Sequence, residues 1–371
     1  MNIAIVEERP SFVGGSERMS LSIATHALRR GDAVWLVHEE PGDMVLAYAS
    51  AGARTCQLPA HPIAVREPRR AWRSWRVLRR LIRREQIDIV FTSQVNYASL
   101  LAALGATTRA KTAVHLGLVY DYPSPVFRAG VRRIHLGIAP SAHTAQGWRV
   151  RGWPEQSLRV IPNGVDVEVF SSAGGQAAAR AQLGLSPQVP VVAYVGRLVR
   201  EKGIFTLLQA FGALRRKGKP GFLLLTGNAA GDEVKTLHEL AARESLSPSD
   251  WRVQPSTREP EVIYRAADLV VVPSEAEESF GLVPLEALAC GTMAIVSNRS
   301  VLPSFVRPIG ASAVFTSGDR ESLGVCLAYW LHDADRRLHA AKVLQAYVRS
   351  EYSVERCGEA YRQAFLSLLS R

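Results

Sequence analysis

The sequence contains neither a long apolar run nor a cluster of cysteines. Its longest apolar stretch, 98–106, is about half of the roughly 18 residues that a transmembrane helix needs. The N-terminus lacks the basic start and cleavage site of a signal peptide, and residues 1–6 are predicted to form a buried strand. Four cysteines are scattered along the chain at Cys56, Cys290, Cys326 and Cys357. Their spacing indicates neither a zinc site nor a disulfide framework, so a reducing cytoplasm is the expected compartment.

Acidic residues are almost missing from one segment. The formal net charge is +11, and between Arg66 and Arg84 nine arginines accompany one acid, Glu67. Nucleic acid, an anionic membrane or an acidic substrate would each balance such a charge. No nucleic-acid-binding module accompanies it, so we do not expect nucleic acid as a partner.

This arginine-rich segment has two interpretations. If it is helical from Pro68, one stripe carries its large apolar residues, Trp72, Trp75, Leu78 and Ile82. Such a helix could lie on an anionic bilayer with its tryptophans among the headgroups. A helix that packs on a sheet needs the same stripe, and its arginines would then simply be solvated. The segment 66–84 is a candidate membrane contact, and both interpretations stay open.

Short apolar runs alternate with helical patterns along the whole chain. Strands are predicted at 3–6, 33–38, 87–92, 112–116, 191–195, 222–226, 252–254, 269–272 and 294–297, and a short strand within 159–166 closes on an Asn-Gly turn. Alternation of this kind is typical of parallel sheets with crossover helices, and the length suggests two domains. We predict an α/β protein with two doubly wound, Rossmann-like domains, residues 1–165 and 190–352. Residues 166–189, rich in Ala, Gly, Ser and Gln, are predicted to be a linker, and 353–371 to be helical.

The most informative segment runs from Ser274 to Gly291. It follows an apolar strand and carries Glu278 and Glu286 eight residues apart, with a helix predicted to begin near Gly281. A helix start exposes N–H groups and a partial positive charge, which suit a phosphate. Carboxylates before and inside the helix could bind hydroxyls on either side of a diphosphate. Taken alone, one such pair is better explained as solvated glutamates of an ordinary strand–helix unit.

A basic segment also follows a predicted strand. Arg197 and Lys202 lie five residues apart, beside Gly196 and Gly203. Glycine lets the backbone approach a ligand closely, and two cations can neutralise a diphosphate. By itself the segment is better explained as a basic loop with solvated side chains between a strand and a helix.

Two features of the first half complete the pattern. Gly14 and Gly15 follow the first strand where a helix begins, and His115 ends a later strand. Each alone has a structural explanation: a glycine turn in one case, a packed or capping histidine in the other.

Together these segments resemble the donor site of retaining glycosyltransferases of family 4, which have the two-domain GT-B fold. The resemblance implies that Arg197 and Lys202 hold the diphosphate and stabilise it as it leaves. It implies that Glu286 binds the ribose hydroxyls and that Glu278 binds hydroxyls of the donor sugar. Spacing alone selects Glu278 over its neighbours Glu275 and Glu277. Backbone groups at the helix start would meet the phosphates, at Phe280, Gly281 and Leu282.

In the first domain, the resemblance implies that Gly15 lies near the donor phosphates and the acceptor pocket, where a Cβ would block the cleft between the domains. His115 is expected beside the transferred sugar, where it would bind the sugar or position the reacting groups. The closing helix, 353–371, is expected to pack back on the first domain.

The reaction implied by the resemblance is transfer with retention and without a metal. No Asp-x-Asp element is evident at a strand end, so neither a metal nor another cofactor is expected. The family pattern offers no nucleophile on the far face of the sugar. Front-face attack is therefore expected over a covalent carboxylate intermediate, with the leaving phosphate taking the acceptor's proton.

The chain departs from the family pattern in two loops. Residues 297–304 replace the pattern Ser-x-x-Gly-Gly-x-Pro-Glu, which puts the acceptor geometry in question. Residues 227–232 replace a tighter Gly-x-Gly form, and we expect this to change how the base and ribose are seated.

We expect a cytoplasmic glycosyltransferase that uses a UDP- or GDP-sugar. The expected acceptor is lipid-linked or part of a cell-envelope glycan, at the inner membrane face, as in polysaccharide biosynthesis. A small soluble acceptor is the first alternative. A sugar-nucleotide epimerase of the same fold and a non-enzymatic sugar-nucleotide- or membrane-binding protein are the others. The base, the sugar, the acceptor and the oligomeric state stay open.

Overall fold

The computed structural model describes residues 1–11, 15–60, 68–119, 130–229 and 231–370. The chain divides into two compact units. The first combines Met1–Gly164 with the closing segment Val354–Arg371, and the second is continuous from Val165 to Ser353.

The first unit is built on a parallel sheet of seven strands. They are β1 (Asn2–Glu7), β2 (Ala33–His38), β3 (Arg54–Gln57), β4 (Ile89–Thr92), β5 (Lys111–His115), β6 (Leu136–Ala139) and β7 (Leu158–Val160). Their spatial order is β3-β2-β1-β4-β5-β6-β7. The order reverses between β1 and β4, so the chain winds outward from the centre in both directions.

Helices cover both faces of this sheet. They are α1 (Gly15–Arg29), α2 (Val45–Ser50), α3 (Pro68–Arg84), α4 (Ala98–Thr107), α5 (Ala142–Val150) and, closing the chain, α14 (Val354–Leu369). Short 3₁₀ segments lie at Val95–Tyr97 and Glu155–Ser157. Because both faces are covered, every residue of β1 from Ile3 to Val6 is buried, which explains its continuous apolar run.

The arginine-rich segment is helical, and its apolar stripe divides between two environments. Leu78 and Ile82 are buried in the core on one face of the first sheet, as the packing interpretation predicts. Trp72 is 58% exposed, and the guanidinium of Arg76 lies 4.6 Å from the centre of its ring. Arg66 and Glu67 lie outside the described residues.

The second unit is built on a parallel sheet of six strands. They are β8 (Val191–Val195), β9 (Phe222–Thr226), β10 (Trp251–Gln254), β11 (Leu269–Val272), β12 (Met293–Ser297) and β13 (Val314–Phe315). Their order is β10-β9-β8-β11-β12-β13. The predicted α/β class with two doubly wound sheets is therefore confirmed.

The helices of the second unit follow the same alternation. They are α6 (Gly175–Leu183), α7 (Ile204–Arg216), α8 (Glu233–Arg243), α9 (Pro260–Ala266), α10 (Leu282–Ala289), α11 (Leu302–Phe305), α12 (Arg320–His332) and α13 (Ala334–Glu351). Short 3₁₀ segments lie at Arg200–Lys202 and Arg307–Ala313. Among the described helices, none has the length and apolar character to cross a membrane. The four cysteines are unpaired thiols.

The segment 166–189, predicted to be a linker, is instead a folded part of the second unit. It contains α6, whose Arg180 is buried. The guanidinium of Arg180 donates to the carbonyl oxygen of Ala266 at 3.0 Å and pairs with the carboxylate of Asp268. The composition is that of a flexible connection, but Arg180, together with Gln176, whose side-chain amide donates to the carbonyl oxygen of Ala267 at 3.1 Å, anchors the helix to the segment before β11.

The carboxyl group of Glu7, the last residue of β1, is buried in the first sheet. Its oxygens accept hydrogen bonds from the hydroxyls of Ser20 at 2.8 Å and Ser93 at 2.9 Å. Burial nevertheless raises the pKa of Glu7 to about 7, because among the described residues no cation compensates for the lost hydration of its charge.

This pKa predicts a pH-dependent stability. The folded state binds the proton more tightly than the unfolded state, so stability falls as pH rises from about 4.5 to about 7, by roughly 3 kcal/mol. Glu7→Gln, a neutral isostere, should melt at a higher temperature than wild type at pH 8. Its stability should no longer fall as the pH rises. Calorimetric melting temperatures across pH 5–8 measure this pH dependence, and a variant of the exposed Glu8, Glu8→Gln, is the control. The same pH dependence in Glu7→Gln as in wild type would contradict the raised pKa of Glu7.

Candidate functional site

The candidate site lies at the reversal point of the second sheet, between β8 and β11. Loops that leave adjacent parallel strands in opposite directions open a crevice at the carboxyl ends, where α/β proteins bind ligands. Arg197 and Lys202 follow β8, and Glu278 follows β11. The sequence thus brings three predicted site residues to the ends of two paired strands.

The two loops are joined by direct hydrogen bonds. The backbone N–H groups of Glu275 and Ala276 both donate to the carbonyl oxygen of Glu201, at 2.9 and 3.0 Å. The ammonium group of Lys202 donates to Oε1 of Glu278 at 2.5 Å. The loop after β8 and the loop after β11 therefore form one framework.

Glu278 holds this framework with one of its oxygens. Oε1 accepts the bond from Lys202 and a second one from the hydroxyl of Ser274, at 2.5 Å. Among the described residues, nothing hydrogen-bonds Oε2. The Lys202 and Glu278 side chains are 23% and 15% exposed, so the pair is largely shielded but can still reach solvent. One oxygen is used within the protein, and the other is available to a ligand.

The three neighbouring glutamates, which spacing alone separated in the sequence, occupy different environments. Glu275 accepts a hydrogen bond from the hydroxyl of Thr206 at 2.6 Å. Glu277 contacts the hydroxyl of Ser300. Glu278 is the member of the three that contacts Lys202. The geometry therefore favours the same residue that the spacing selects.

Two glycines permit the close approach of the loops. Gly203 has φ +71°, and a Cβ there would lie 1.9 Å from the carbonyl oxygen of Pro273. A Cβ on Gly227 would lie 1.7 Å from the carbonyl oxygen of Gly196. Side chains at these positions would push apart the loops after β8, β9 and β11, so glycine is required there for spacing.

Arg197 extends into solvent from a fixed backbone. Its side chain is 65% exposed and pairs with Glu201 at 2.9 Å. Its carbonyl oxygen accepts a hydrogen bond from the phenol of Tyr194 at 2.6 Å. Burial, together with the charge of Glu278, raises the pKa of Tyr194 well above its ordinary value, so the phenol stays a donor. The exposed guanidinium can rearrange toward a ligand without moving the loop.

The start of α10 offers backbone donors. The helix begins at Leu282, directly after Gly281, which has φ +86° and provides no side-chain cap. The ring of Phe280 is buried and packs on Phe305, with ring centres 5.1 Å apart. Phe280 therefore anchors the turn, and the N–H groups that follow it carry the partial positive charge of the helix.

Glu286 lies one turn further along α10, on the helix where the sequence predicts it. Its Oε2 accepts a hydrogen bond from the phenol of Tyr264, a buried residue of α9, at 2.7 Å. This contact fixes the carboxylate from one side, and no motif in the sequence points to Tyr264 as its partner.

The loop that departs from the family pattern supports Glu278. Ser300 occupies the position of the first pattern glycine and keeps the left-handed backbone that glycine favours, with φ +47°. Its hydroxyl accepts a hydrogen bond from the N–H of Glu278 at 3.1 Å. The chain thus replaces a glycine with a residue that bonds the loop carrying Glu278.

Two predicted residues belong to the first unit. His115 ends β5 and is buried, and its Nδ1 lies 2.8 Å from the phenol oxygen of Tyr361 on α14. Burial lowers the pKa of His115 to about 4, so the imidazole is neutral at pH 7. Gly15 is the first residue of α1. Gly14 lies outside the described residues.

Substitutions at two glycines test the close approach of the loops. Gly203→Ala forces a backbone clash, whereas Gly218→Ala, at nearly the same φ of +73°, meets no atom within 4 Å. We expect the control to lose roughly 1–2 kcal/mol of unfolding free energy from left-handed strain. Gly203→Ala should lose about 3 kcal/mol or more. Urea denaturation measures both, and equal losses would contradict the packing described here.

Two family models together match most of the chain. The model for Glycosyltransferase Family 4 matches residues 13–169, and the model for Glycosyl transferases group 1 matches residues 175–345. The boundary between the matches falls close to the boundary between the two units.

Curated relatives share the sequence over shorter stretches. The D-inositol 3-phosphate glycosyltransferase of Segniliparus rotundus is 45% identical over 153 residues, which are 40% of this chain and 33% of that protein. The protein of the same name from Nocardia farcinica is 36% identical over 232 residues, 58% of this chain and 50% of that protein. The matched regions thus span about a third to a half of these relatives.

Solved structures match the whole chain in fold. The Anabaena protein HepE, solved in complex with UDP, gives a TM-score of 0.85 at 20% identity, covering 99% of this chain and 100% of HepE. The resemblance stated from the sequence and the predicted GT-B fold are both confirmed. From its two consecutive model matches, the chain belongs to glycosyltransferase family 4, the glycosyl transferases group 1.

Proposed function

We propose that this chain is a retaining glycosyltransferase that moves a sugar from a nucleoside diphosphate to an acceptor without a metal ion. The observation that carries the proposal is the Lys202–Glu278 contact at the reversal point of the second sheet, beside the uncapped start of α10. It combines a cation, a carboxylate and backbone donors in one framework. HepE, a fold neighbour, was solved with UDP and with UDP-glucose, which supports a nucleotide-sugar donor.

Each part of the framework has a proposed role toward the donor. The diphosphate lies at the start of α10, where Arg197 and Lys202 neutralise its charge. Glu286, fixed by Tyr264, accepts hydrogen bonds from the ribose hydroxyls. Oε2 of Glu278 accepts a hydrogen bond from a hydroxyl of the sugar, while Oε1 keeps its bond to Lys202.

The proposed chemistry needs little from the protein beyond charge and position. The bond between the anomeric carbon and the phosphate oxygen breaks, and the acceptor oxygen bonds the same face of that carbon. The acceptor's proton passes to the departing phosphate oxygen, so no side chain acts as the base. Arg197 and Lys202 stabilise the charge that develops on the diphosphate. His115, neutral and buried, binds the sugar and does not take up a proton.

We propose a lipid-linked or cell-envelope glycan acceptor in the cytoplasm, reached at the membrane face. Support comes from a groove of about 530 Å³ beside α3. Four arginines line it, Arg73, Arg76, Arg80 and Arg84. These side chains are exposed, and exposed Trp72 adjoins them. A tryptophan among arginines suits an anionic headgroup layer. The proposed cytoplasmic location is supported separately by the four unpaired thiols, which fit a reducing compartment.

A small soluble acceptor is the second candidate. It is favoured by the names of the curated relatives, D-inositol 3-phosphate glycosyltransferases, which designate a small acceptor. Vesicle binding distinguishes the two candidates, because only the first requires a membrane surface.

Removing the charge of Lys202 should affect turnover more than donor binding. If Lys202 stabilises the departing diphosphate, Lys202→Ala should lower kcat by roughly a hundredfold or more, since such a donor is worth about 3–4 kcal/mol in the transition state. Affinity for the nucleoside diphosphate should change by less than that. Lys217→Ala, an exposed lysine after α7, is the control. Normal turnover in Lys202→Ala would exclude this role of Lys202.

Treatment of wild type with EDTA tests the metal-free mechanism. Activity that EDTA abolishes and a divalent ion restores would exclude that mechanism.

The membrane proposal predicts binding to anionic but not zwitterionic vesicles. Each basic side chain near an anionic leaflet contributes about 1 kcal/mol, so the joint substitution of Arg73, Arg76, Arg80 and Arg84 by Ser should release most of the protein. Binding should weaken with salt.

A matched variant controls for net charge in this experiment. Substitution of four exposed arginines of the same unit outside α3 removes the same charge, at Arg109, Arg132, Arg133 and Arg151. Flotation should be retained by this variant. Equal loss in both variants, or no vesicle binding by wild type at low salt, would favour the soluble acceptor.

A further inference from the structure

The closing helix α14 contributes a side chain to the surroundings of His115. Tyr361 is fully buried, and its ring packs edge-on against Phe91 of β4, with ring centres 5.8 Å apart. A second ring of the same helix, Phe365, lies 6.0 Å from it. These contacts hold the phenol in one place, with its oxygen 2.8 Å from Nδ1 of His115.

The direction of this hydrogen bond follows from what surrounds it. Neutral His115 carries one proton, on either Nδ1 or Nε2. If Nδ1–H donated to Tyr361, the phenol O–H would itself need an acceptor among apolar side chains. The described residues offer none other than Nδ1, and a buried donor without an acceptor is costly. Tyr361 therefore donates to Nδ1, and the ring proton lies on Nε2.

The residue that faces the Nε2 side of the ring carries no side chain. It is Gly117, and a Cβ added there would lie 3.4 Å from Nε2. Among the described residues, no hydrogen bond reaches Nε2. Within the described part of the chain its N–H is thus a donor without a protein partner, at the carboxyl end of β5.

We propose that Tyr361 is a positioning residue that fixes His115 as a hydrogen-bond donor through Nε2. The ligand group it meets is an acceptor oxygen, a hydroxyl of the transferred sugar, and this assignment rests on the proposed function. The tautomer itself depends only on the contact between β5 and α14. His115 is then unable to act as a base through Nε2, which agrees with a reaction in which the phosphate takes the proton.

Nitrogen-15 NMR of histidine tests the tautomer without any activity. The chain has nine histidines, and the loss of one signal set in His115→Gln assigns the residue. Wild type should show the Nε2–H form from pH 6 to pH 8, because burial keeps the pKa of His115 low. Tyr361→Phe should shift the signals toward a mixture of tautomers. Tyr48→Phe removes a phenol oxygen from another buried tyrosine of the same unit and should change nothing.

Enzyme kinetics test the role of the Nε2–H group of His115 as a hydrogen-bond donor. Tyr361→Phe should lower turnover about three- to tenfold, the effect of one hydrogen bond, and leave nucleoside diphosphate affinity unchanged. His115→Gln, whose amide N–H can replace Nε2–H, should retain more turnover than His115→Ala.

The two measurements separate the inference from the proposed function. A wild-type Nδ1–H form, or identical spectra for wild type and Tyr361→Phe, would overturn the assignment of Tyr361. The expected spectra with no detectable sugar transfer would leave Tyr361 assigned and refute the proposed function instead.

Discussion

The contact between Lys202 and Glu278 is the interaction on which the candidate site depends. It joins the loops after two adjacent parallel strands, and the backbone bonds to Glu201 reinforce it. A lysine and a glutamate this close stabilise each other's charge and limit each other's motion. The cation and the carboxylate are therefore held ready before any ligand arrives, which reduces the ordering that binding must impose. Arg197 belongs to the same loop as Lys202, and the start of α10 follows the loop that carries Glu278.

Sheet topology determines why these loops meet. In the second unit the strand order reverses between β8 and β11, so the loops that follow these two paired strands leave in opposite directions. Gly203 and Gly227 allow backbones to approach more closely than any side chain would permit. Ser300 supports Glu278 from the third loop, where the family pattern has glycine and no hydroxyl.

Much of the fold could be predicted, because periodicity and strand–helix alternation are local properties. Three strands were missed. β3 is a polar edge strand, β6 contains Gly137 under the ring of Trp153, and β13 has two residues. Most predicted site residues belong to contiguous motifs, which sequence reveals. Their partners Tyr264 and Tyr361 come from other elements and carry no motif, so only tertiary packing identifies them. The folded segment 166–189 was misassigned for the same reason, since Arg180 anchors it to distant Asp268.

The most direct test is calorimetric titration of the protein with UDP and GDP, comparing wild type with Glu286→Ala. We expect wild type to bind one of these nucleotides and Glu286→Ala to bind it roughly ten- to a hundredfold more weakly, because a charged acceptor for the ribose is lost. Glu239→Ala, an exposed glutamate on α8, should bind like wild type. Binding of neither nucleotide by wild type, or equal affinity in wild type and Glu286→Ala, would contradict the assignment of this site to a nucleotide sugar.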